Sequence, residues 1–152
     1  NPNTGAGGLD PSRPRAVASP PDTTKVMLEA YSPANKCSRC ADSKCCTYTT
    51  EALGAAPRSK TDFEHLLWQV SHQGVEIYKD SDGWFLLFQG RCEHIQPDGA
   101  CGIYAQRPQI CRDYTNDWCE FDAPAEEGFE LHFRNYAELL AYCKKRFKTW
   151  GR

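Results

Sequence analysis

The chain has 152 residues, a formal net charge of −2 and 40% hydrophobic residues, which is typical of one globular domain with a tail. Basic residues neither gather around the cysteines nor alternate with aromatic residues there, so no nucleic-acid partner is expected. No run of about 18 apolar residues occurs, and no transmembrane segment is expected.

The N-terminal region differs in composition from the rest of the chain. Residues 1–35 hold most of the Pro, Gly, Ala and Ser punctuation and bury too little apolar surface to order themselves. We therefore predict a flexible or partner-docking arm over residues 1–35 and a cysteine-cluster metal-binding domain over residues 36–152. A flexible leader is the simpler interpretation, and the short apolar patch at residues 26–28 and Tyr31 is the feature that would allow docking.

Eight of the nine cysteines form two clusters. The first cluster is Cys37, Cys40, Cys45 and Cys46, and the second cluster is Cys92, Cys101, Cys111 and Cys119. Thiolates packed this densely repel one another unless a metal neutralises them or oxidation removes their charge. Metal binding is favoured over disulfides because the count is odd, one pair is adjacent and the chain can build its own core. Unligated thiols are the third alternative.

Regular structure is predicted between the two clusters. Thr47–Thr50 is β-prone, and the capping-box pattern from Thr61 to Glu64 predicts that a helix begins at Thr61. Val75–Lys79 and Trp84–Gln89 flank a turn sequence and predict a β-hairpin. The second strand is apolar on both faces and should be covered on both sides.

Further elements are predicted beyond Cys101. Pro108 suits the start of a short helix over Gln109–Tyr114, and Phe129–Phe133 suits a short edge strand. Asn135 is the expected cap of a last helix whose apolar side extends to Trp150. These elements predict an α+β fold: one small domain with a β-hairpin and two or three helices around a Cys-rich metal centre, preceded by an extended arm.

The cysteines permit more than one kind of centre. Four thiolates can surround Zn²⁺ tetrahedrally, or can hold an iron–sulfur cluster such as 4Fe-4S. Eight sulfurs therefore allow one or two centres of zinc or iron, and their spacing does not decide between these. The side chains of Cys45 and Cys46 diverge, so one of them can be a ligand and the other a reactive thiol. Cys143 lies on the apolar side of the last helix and is left out of the metal set.

Three residues near the second cluster have possible roles at a thiolate centre. Arg107 and Arg112 flank Cys111 and could offset the charge of a thiolate centre, with surface ion pairing as the alternative. His94 could replace one thiolate, although an exposed turn histidine is the simpler expectation.

The motifs resemble a known family. Cys-x-x-Cys-x4-Cys-Cys over 37–46 and Cys-Gly-Ile-Tyr-x-x-Arg-Pro-x-x-Cys-Arg over 101–112 are similar to the YkgJ-type cysteine-cluster family, also called the CxxCxxCC or zinc- or iron-chelating domain. The resemblance covers residues 37 to about 120. It implies that the chelators are Cys37, Cys40, Cys45, Cys46, Cys92, Cys101, Cys111 and Cys119. The chain has four residues between Cys40 and Cys45, where many members have two or three.

Three functions are consistent with these features. The first is a metal-binding module with a structural or electron-transfer centre that acts through a protein partner. The second is a metal- or thiol-dependent redox enzyme, against which the surplus of sulfurs argues because a catalytic metal usually keeps an open position. The third is an accessory subunit of a larger complex. Reduced thiols indicate a reducing compartment, the cytoplasm or else an organelle if the start at Asn1 reflects a removed targeting peptide.

Overall fold

The computed structural model describes Lys36, Cys40 and residues 42–114 and 119–151. The predicted arm over residues 1–35 and the predicted ligand Cys37 lie outside these residues. Within them, none of the helices combines the length and apolar character needed to cross a membrane.

A four-stranded antiparallel sheet forms the middle of the domain. In chain order its strands are β1 (Tyr48–Ala52), β2 (Val75–Asp80), β3 (Gly83–Gln89) and β4 (Leu131–Phe133). Their spatial order is β1-β3-β2-β4. The predicted hairpin is confirmed as β2 and β3, joined through Ser81 and Asp82. The Asp80 carboxylate accepts a 2.8 Å hydrogen bond from the Asp82 amide, and Gly83 adopts a φ of 134° that favours glycine.

Three α-helices lie within the described residues. They are α1 (Lys60–Val70), α2 (Gln109–Asp113) and α3 (Tyr136–Arg146). The predicted cap of α1 at Thr61 is wrong. Ser59 is the cap, because its hydroxyl accepts a hydrogen bond from the Asp62 amide while the Asp62 carboxylate accepts one from the Ser59 amide.

The last helix begins where the sequence predicts. The Asn135 side chain accepts a 3.0 Å hydrogen bond from the Glu138 amide, which confirms the cap of α3. The helix ends at Arg146, before the predicted Trp150. Basic residues fill its last turn and complement the helix dipole.

The main core lies between one face of the sheet and helices α1 and α3. Its fully buried side chains are Phe63, Ile77, Leu139 and Cys143. Phe63 packs edge-on against Trp84, with their ring centroids 5.9 Å apart. Cys143 is therefore a core residue, as predicted.

The opposite face of the sheet is covered by the segment that follows the second cluster. Leu87 and Tyr78 are buried there, on the side of the strands away from the helices. Phe129 stacks on Tyr78 with ring centroids 4.1 Å apart, and Glu130 donates its amide to the carbonyl of Lys79. This arrangement confirms that β3 is covered on both sides, and the fold is α+β as predicted.

Candidate metal centre

Two neighbouring strands bring the cysteine clusters to the same end of the sheet. β1 begins just after Cys46, and β3 ends just before Cys92. The antiparallel register places Tyr48 opposite Gln89. Beyond the strands the pairing continues, because the Gly90 amide donates to the Thr47 carbonyl and the Cys92 amide donates to the Cys46 carbonyl, both at 2.8 Å. Cys46 and Cys92 are thus held side by side through their backbones.

Ser43 adds a second link between the clusters. Its buried hydroxyl donates a 2.7 Å hydrogen bond to the carbonyl of Gly99, in the loop between Cys92 and Cys101. Ser43 has a φ of 46°, in the left-handed region, and its carbonyl accepts a hydrogen bond from the Cys46 amide. This turn accommodates the long spacing between Cys40 and Cys45.

The loop from Cys92 to Cys101 is closed by its own backbone bonds. Ile95 forms an antiparallel bridge with Cys101, and the Gly102 amide donates to the carbonyl of His94 at 2.8 Å. A Cβ atom at position 102 would lie 3.2 Å from that carbonyl oxygen and 3.3 Å from the side-chain nitrogen of Gln96. Only glycine fits this approach without a shift of its neighbours.

The Cys46 thiol lies near thiols of both clusters. Partial burial raises the pKa of the Cys46 thiol. A hydrogen bond from the Cys45 thiol lowers this pKa, whereas the negative charges of Cys92, Cys101 and Cys111 raise it further. One sulfur of the first cluster therefore lies within the electrostatic reach of three sulfurs of the second.

The donor set fits a soft or borderline metal ion, although its geometry is open. No disulfide joins any of the eight described cysteines. Within the described parts of the chain, no three Cys, His, Asp or Glu side chains come close enough together to hold one ion. A rotamer change moves a cysteine sulfur without moving its backbone, so the paired backbones of Cys46 and Cys92 allow closer approach. Thiolates are ligands that suit zinc and iron.

A family model decides the relationship of this chain to known proteins. The model, CxxCxxCC, carries the description "Putative zinc- or iron-chelating domain" and matches residues 36–143, more than two thirds of the chain. The chain belongs to the CxxCxxCC family. Searches of curated proteins and of solved structures returned no significant match. Membership supports zinc or iron binding by the domain, without specifying the number of ions or the type of centre.

A part-buried ion pair anchors the far end of the CxxCxxCC domain's second cluster. Lys36, only 4% exposed, places its Nζ 2.6 Å from an Asp122 carboxylate oxygen, and the same oxygen accepts a 3.0 Å hydrogen bond from the Cys119 amide. The backbone of Cys119 is thereby tied to the residue that precedes Cys37. The thiols of Cys40 and Cys119 are partly buried, and their ligand roles stay predictions.

A second polar contact links the clusters beneath the sheet. The Tyr48 hydroxyl, two residues after Cys46, donates a 2.9 Å hydrogen bond to the carboxylate of Glu120, the residue after Cys119. Burial and this carboxylate raise the pKa of Tyr48, so its hydroxyl stays protonated and remains a donor. The other Glu120 oxygen is buried and accepts no hydrogen bond in the described structure.

The arginines of the CxxCxxCC domain brace the loop around Cys111. The guanidinium of Arg107 lies over the Tyr104 ring, 3.7 Å from its centroid, and donates to the Tyr104 carbonyl. Arg112 donates to the carbonyls of Arg107 and Ala105. Both arginines thus donate hydrogen bonds to backbone carbonyl oxygens, a role that was not predicted from the sequence. His94 is an exposed turn residue next to Glu93.

The residues that hold the clusters together were not predicted from the sequence. Lys36, Ser43 and Asp122 carry no metal-ligand signature, and their partners are 86 and 56 residues away in sequence. A local signal exists only for Asp122, because an aspartate three residues after Cys119 can accept that residue's amide in a turn.

Proposed function

We propose that the CxxCxxCC domain binds zinc or iron through the thiolates of Cys46, Cys92, Cys101 and Cys111. The observation that carries this proposal is the backbone bond between Cys46 and Cys92, which holds one cysteine of each cluster side by side, with Cys101 and Cys111 near enough to act on Cys46 electrostatically. When bound, the ion would neutralise sulfur anions that otherwise repel one another. Ligand roles for Cys37, Cys40, Cys45 and Cys119 remain predictions, and a second ion or an iron–sulfur centre would need some of them.

The proposed centre is structural or transfers electrons, and it acts through a protein partner. The surplus of thiols supports closed coordination, because catalytic metal sites usually keep one position for water or substrate. Large apolar side chains exposed beside Cys111 support a partner. Ile110 is 79% exposed and Tyr104 is 60% exposed, so a partner that covers them would remove apolar surface from water.

A metal- or thiol-dependent redox enzyme is the second candidate. It is supported by the exposed thiol of Cys45 next to the partly buried thiol of Cys46, since adjacent thiols can share a redox step. The described cysteines form no disulfide, which also supports a reducing compartment, either the cytoplasm or a reducing organelle.

Metal binding should depend on pH through Cys46. Its raised pKa keeps the thiol protonated near neutral pH when no ion is bound. An ion must displace this proton, so binding releases protons and weakens as the pH falls.

The test is metal analysis of the full chain purified without oxygen, combined with its visible absorption spectrum. We expect at least one zinc or iron per chain; zinc gives a colourless protein and an iron–sulfur centre a brown one. Cys46→Ser and Cys92→Ser should each lower the metal content. Cys143→Ala is the matched control, because it removes a thiol buried in the core. Equal metal content in all three variants would contradict the proposal.

A further inference from the structure

We propose that Tyr104, Arg107, Ile110 and Arg112 form a docking surface for the protein partner, and that they bind a segment in which an acidic side chain lies next to an apolar one. These four residues are called the Arg107 surface below. The proposal rests on the proposed function and deepens it, because it gives the chemistry of the partner through which the domain acts.

The guanidinium of Arg107 is positioned to bind a carboxylate. It lies over the Tyr104 ring, 3.7 Å from the ring centroid, and its Nε donates a 2.9 Å hydrogen bond to the Tyr104 carbonyl. No described residue accepts a hydrogen bond from its two Nη nitrogens. A guanidinium held in this way loses little side-chain freedom on binding, and its planar edge matches the two oxygens of a carboxylate.

Arg112 adds a second positive charge next to Arg107. Its Nε donates to the Arg107 carbonyl at 2.9 Å, and its Nη2 donates to the Ala105 carbonyl at 3.3 Å. In the part of the chain that the structure describes, the ion pairs involve other side chains, and neither arginine is paired with a carboxylate. Asp113, the nearest acidic residue in sequence, accepts a 2.6 Å hydrogen bond from the Gln109 side chain. The Arg107 surface therefore has positive charge that complements an acidic partner.

Ile110 and Tyr104 give the Arg107 surface its apolar contact. Ile110 is 79% exposed and Tyr104 is 60% exposed. Because Ile110 follows Arg107 by three residues, their Cα atoms are at most about 11 Å apart. A short peptide segment can span this distance, with its carboxylate on Arg107 and its apolar side chain on Ile110. Tyrosine and arginine are among the side chains that contribute most to binding at protein interfaces.

The composition of the surface favours a protein segment over a nucleic acid. Arginine and tyrosine can also bind phosphates and stack on bases. Ile110, however, has neither a charge nor a ring and offers no such contact, although it is the most exposed side chain of the four for which an exposed fraction is given above. The net charge of −2 also disfavours a polyanion.

Selection from a random peptide library tests the chemistry of the partner. A phage-displayed library is selected against the full chain, loaded with Zn²⁺ without oxygen, and the enriched peptides are synthesised with a fluorescent label. We expect these peptides to have Asp or Glu close to Leu, Phe or Trp. Their affinity, measured by fluorescence polarisation, should fall as salt is added, because salt screens the charges of the exposed arginines.

Variants of the full chain locate the binding site of the enriched peptides. Arg107→Ala and Ile110→Ser should each weaken binding by at least about tenfold. Arg107→Lys keeps the charge but loses the planar guanidinium, and it should also weaken binding. Trp68→Ala is the matched control, because Trp68 is 62% exposed on α1 and should leave the affinity unchanged. Ile110→Ser changes only an exposed side chain, so it keeps the test valid even if Arg107→Ala disturbs the loop.

Several results would overturn the Arg107 surface. These are the absence of any enriched peptide, enriched peptides without acidic residues, and equal binding to the wild-type chain, Arg107→Ala and Ile110→Ser. A single-stranded oligonucleotide that displaces the peptides and binds more tightly would assign the surface to a nucleic acid instead. Self-association in sedimentation that Ile110→Ser abolishes would assign it to a second copy of the chain.

Failure of the metal centre is distinguishable from failure of the Arg107 surface. If the enriched peptides bind as expected but the chain retains neither zinc nor iron, the docking surface stands and only the metal centre of the proposed function fails. If zinc is retained and the peptide results contradict the expectation, the metal centre stands and the docking surface fails.

Discussion

The hydroxyl of Ser43 donates a 2.7 Å hydrogen bond to the carbonyl oxygen of Gly99, 56 residues away. This contact joins the turn before Cys45 to the loop before Cys101. Together with the backbone bond between Cys46 and Cys92, it brings the clusters together through the protein itself. A metal would therefore bind to loops that already meet.

Removal of the Ser43 hydroxyl should weaken metal binding. Ser43→Ala leaves a carbonyl without its donor and should cost about 1 kcal/mol of unfolding free energy. It should also lower zinc affinity by about tenfold, because the two clusters lose a link. Ser71→Ala is the matched control, since the Ser71 hydroxyl also donates at 2.7 Å to a carbonyl but does so at the end of α1. Urea unfolding and zinc titration measure the two effects. A similar loss of zinc affinity in both variants would show that the Ser43 bond is not specific to the centre.

The part-buried pair of Lys36 and Asp122 should contribute more to stability than an exposed pair. Asp122→Asn leaves the buried Lys36 beside a neutral amide and should cost about 2 kcal/mol of unfolding free energy. Glu130→Gln removes the partner of Lys79 in an exposed pair and should cost less than about 1 kcal/mol. Urea denaturation of both variants tests this difference. Equal costs would mean that the Lys36–Asp122 pair is solvated in solution.

A side chain at position 102 should disturb the second cluster. Gly102→Ala places a Cβ 3.2 Å from the His94 carbonyl oxygen, so the loop between Cys92 and Cys101 must shift. We expect a destabilisation of about 1–2 kcal/mol and weaker zinc binding. Gly90→Ala is the control near the same cluster, because no atom lies within 4 Å of its added Cβ. Thermal unfolding and zinc titration should separate the two variants, and unchanged zinc binding in Gly102→Ala would argue against a tightly built loop.

We expect the protein to lose stability at alkaline pH because of the buried thiol of Cys143. Burial raises the pKa of Cys143 from 9.0 to about 11, so the folded protein holds this proton more tightly than the unfolded chain. The resulting stabilisation is complete below about pH 9 and is lost as the pH rises towards about 11. Its size is on the order of 2 kcal/mol. Urea unfolding at several pH values should show a shallower decline for Cys143→Ala than for the wild-type chain. Parallel declines would show that Cys143 ionises normally in the fold.

The fold could be predicted largely because its signals are local. The hairpin of β2 and β3 follows from alternating residue types around a short turn, and the cap of α3 follows from Asn135 and Glu138. The predicted start of α1 was wrong because two capping patterns overlap in this segment. The pattern that forms is that of Ser59 and Asp62, in which each side chain accepts a hydrogen bond from the backbone amide of the other residue. Propensity alone does not choose between such overlapping patterns.

The site could be predicted only as a set of residue types. Cysteine spacing identified the clusters, but it could not show that Cys46 lies beside Cys92, since that depends on the pairing of β1 with β3. The roles of Ser43 and Lys36 could not be predicted for the same reason, because each side chain contacts a residue distant in sequence.

The hairpin that carries Cys92 also offers a place for a reporter group. Its turn at Ser81 and Asp82 is exposed and lies at the end of β3 opposite to Gln89. Seven strand residues separate this turn from the cysteine loops, a distance of roughly 20 Å at the usual rise per residue. A fluorophore attached there through an unnatural side chain would need no extra thiol, and quenching of its emission by energy transfer would distinguish a coloured iron–sulfur centre from colourless bound zinc.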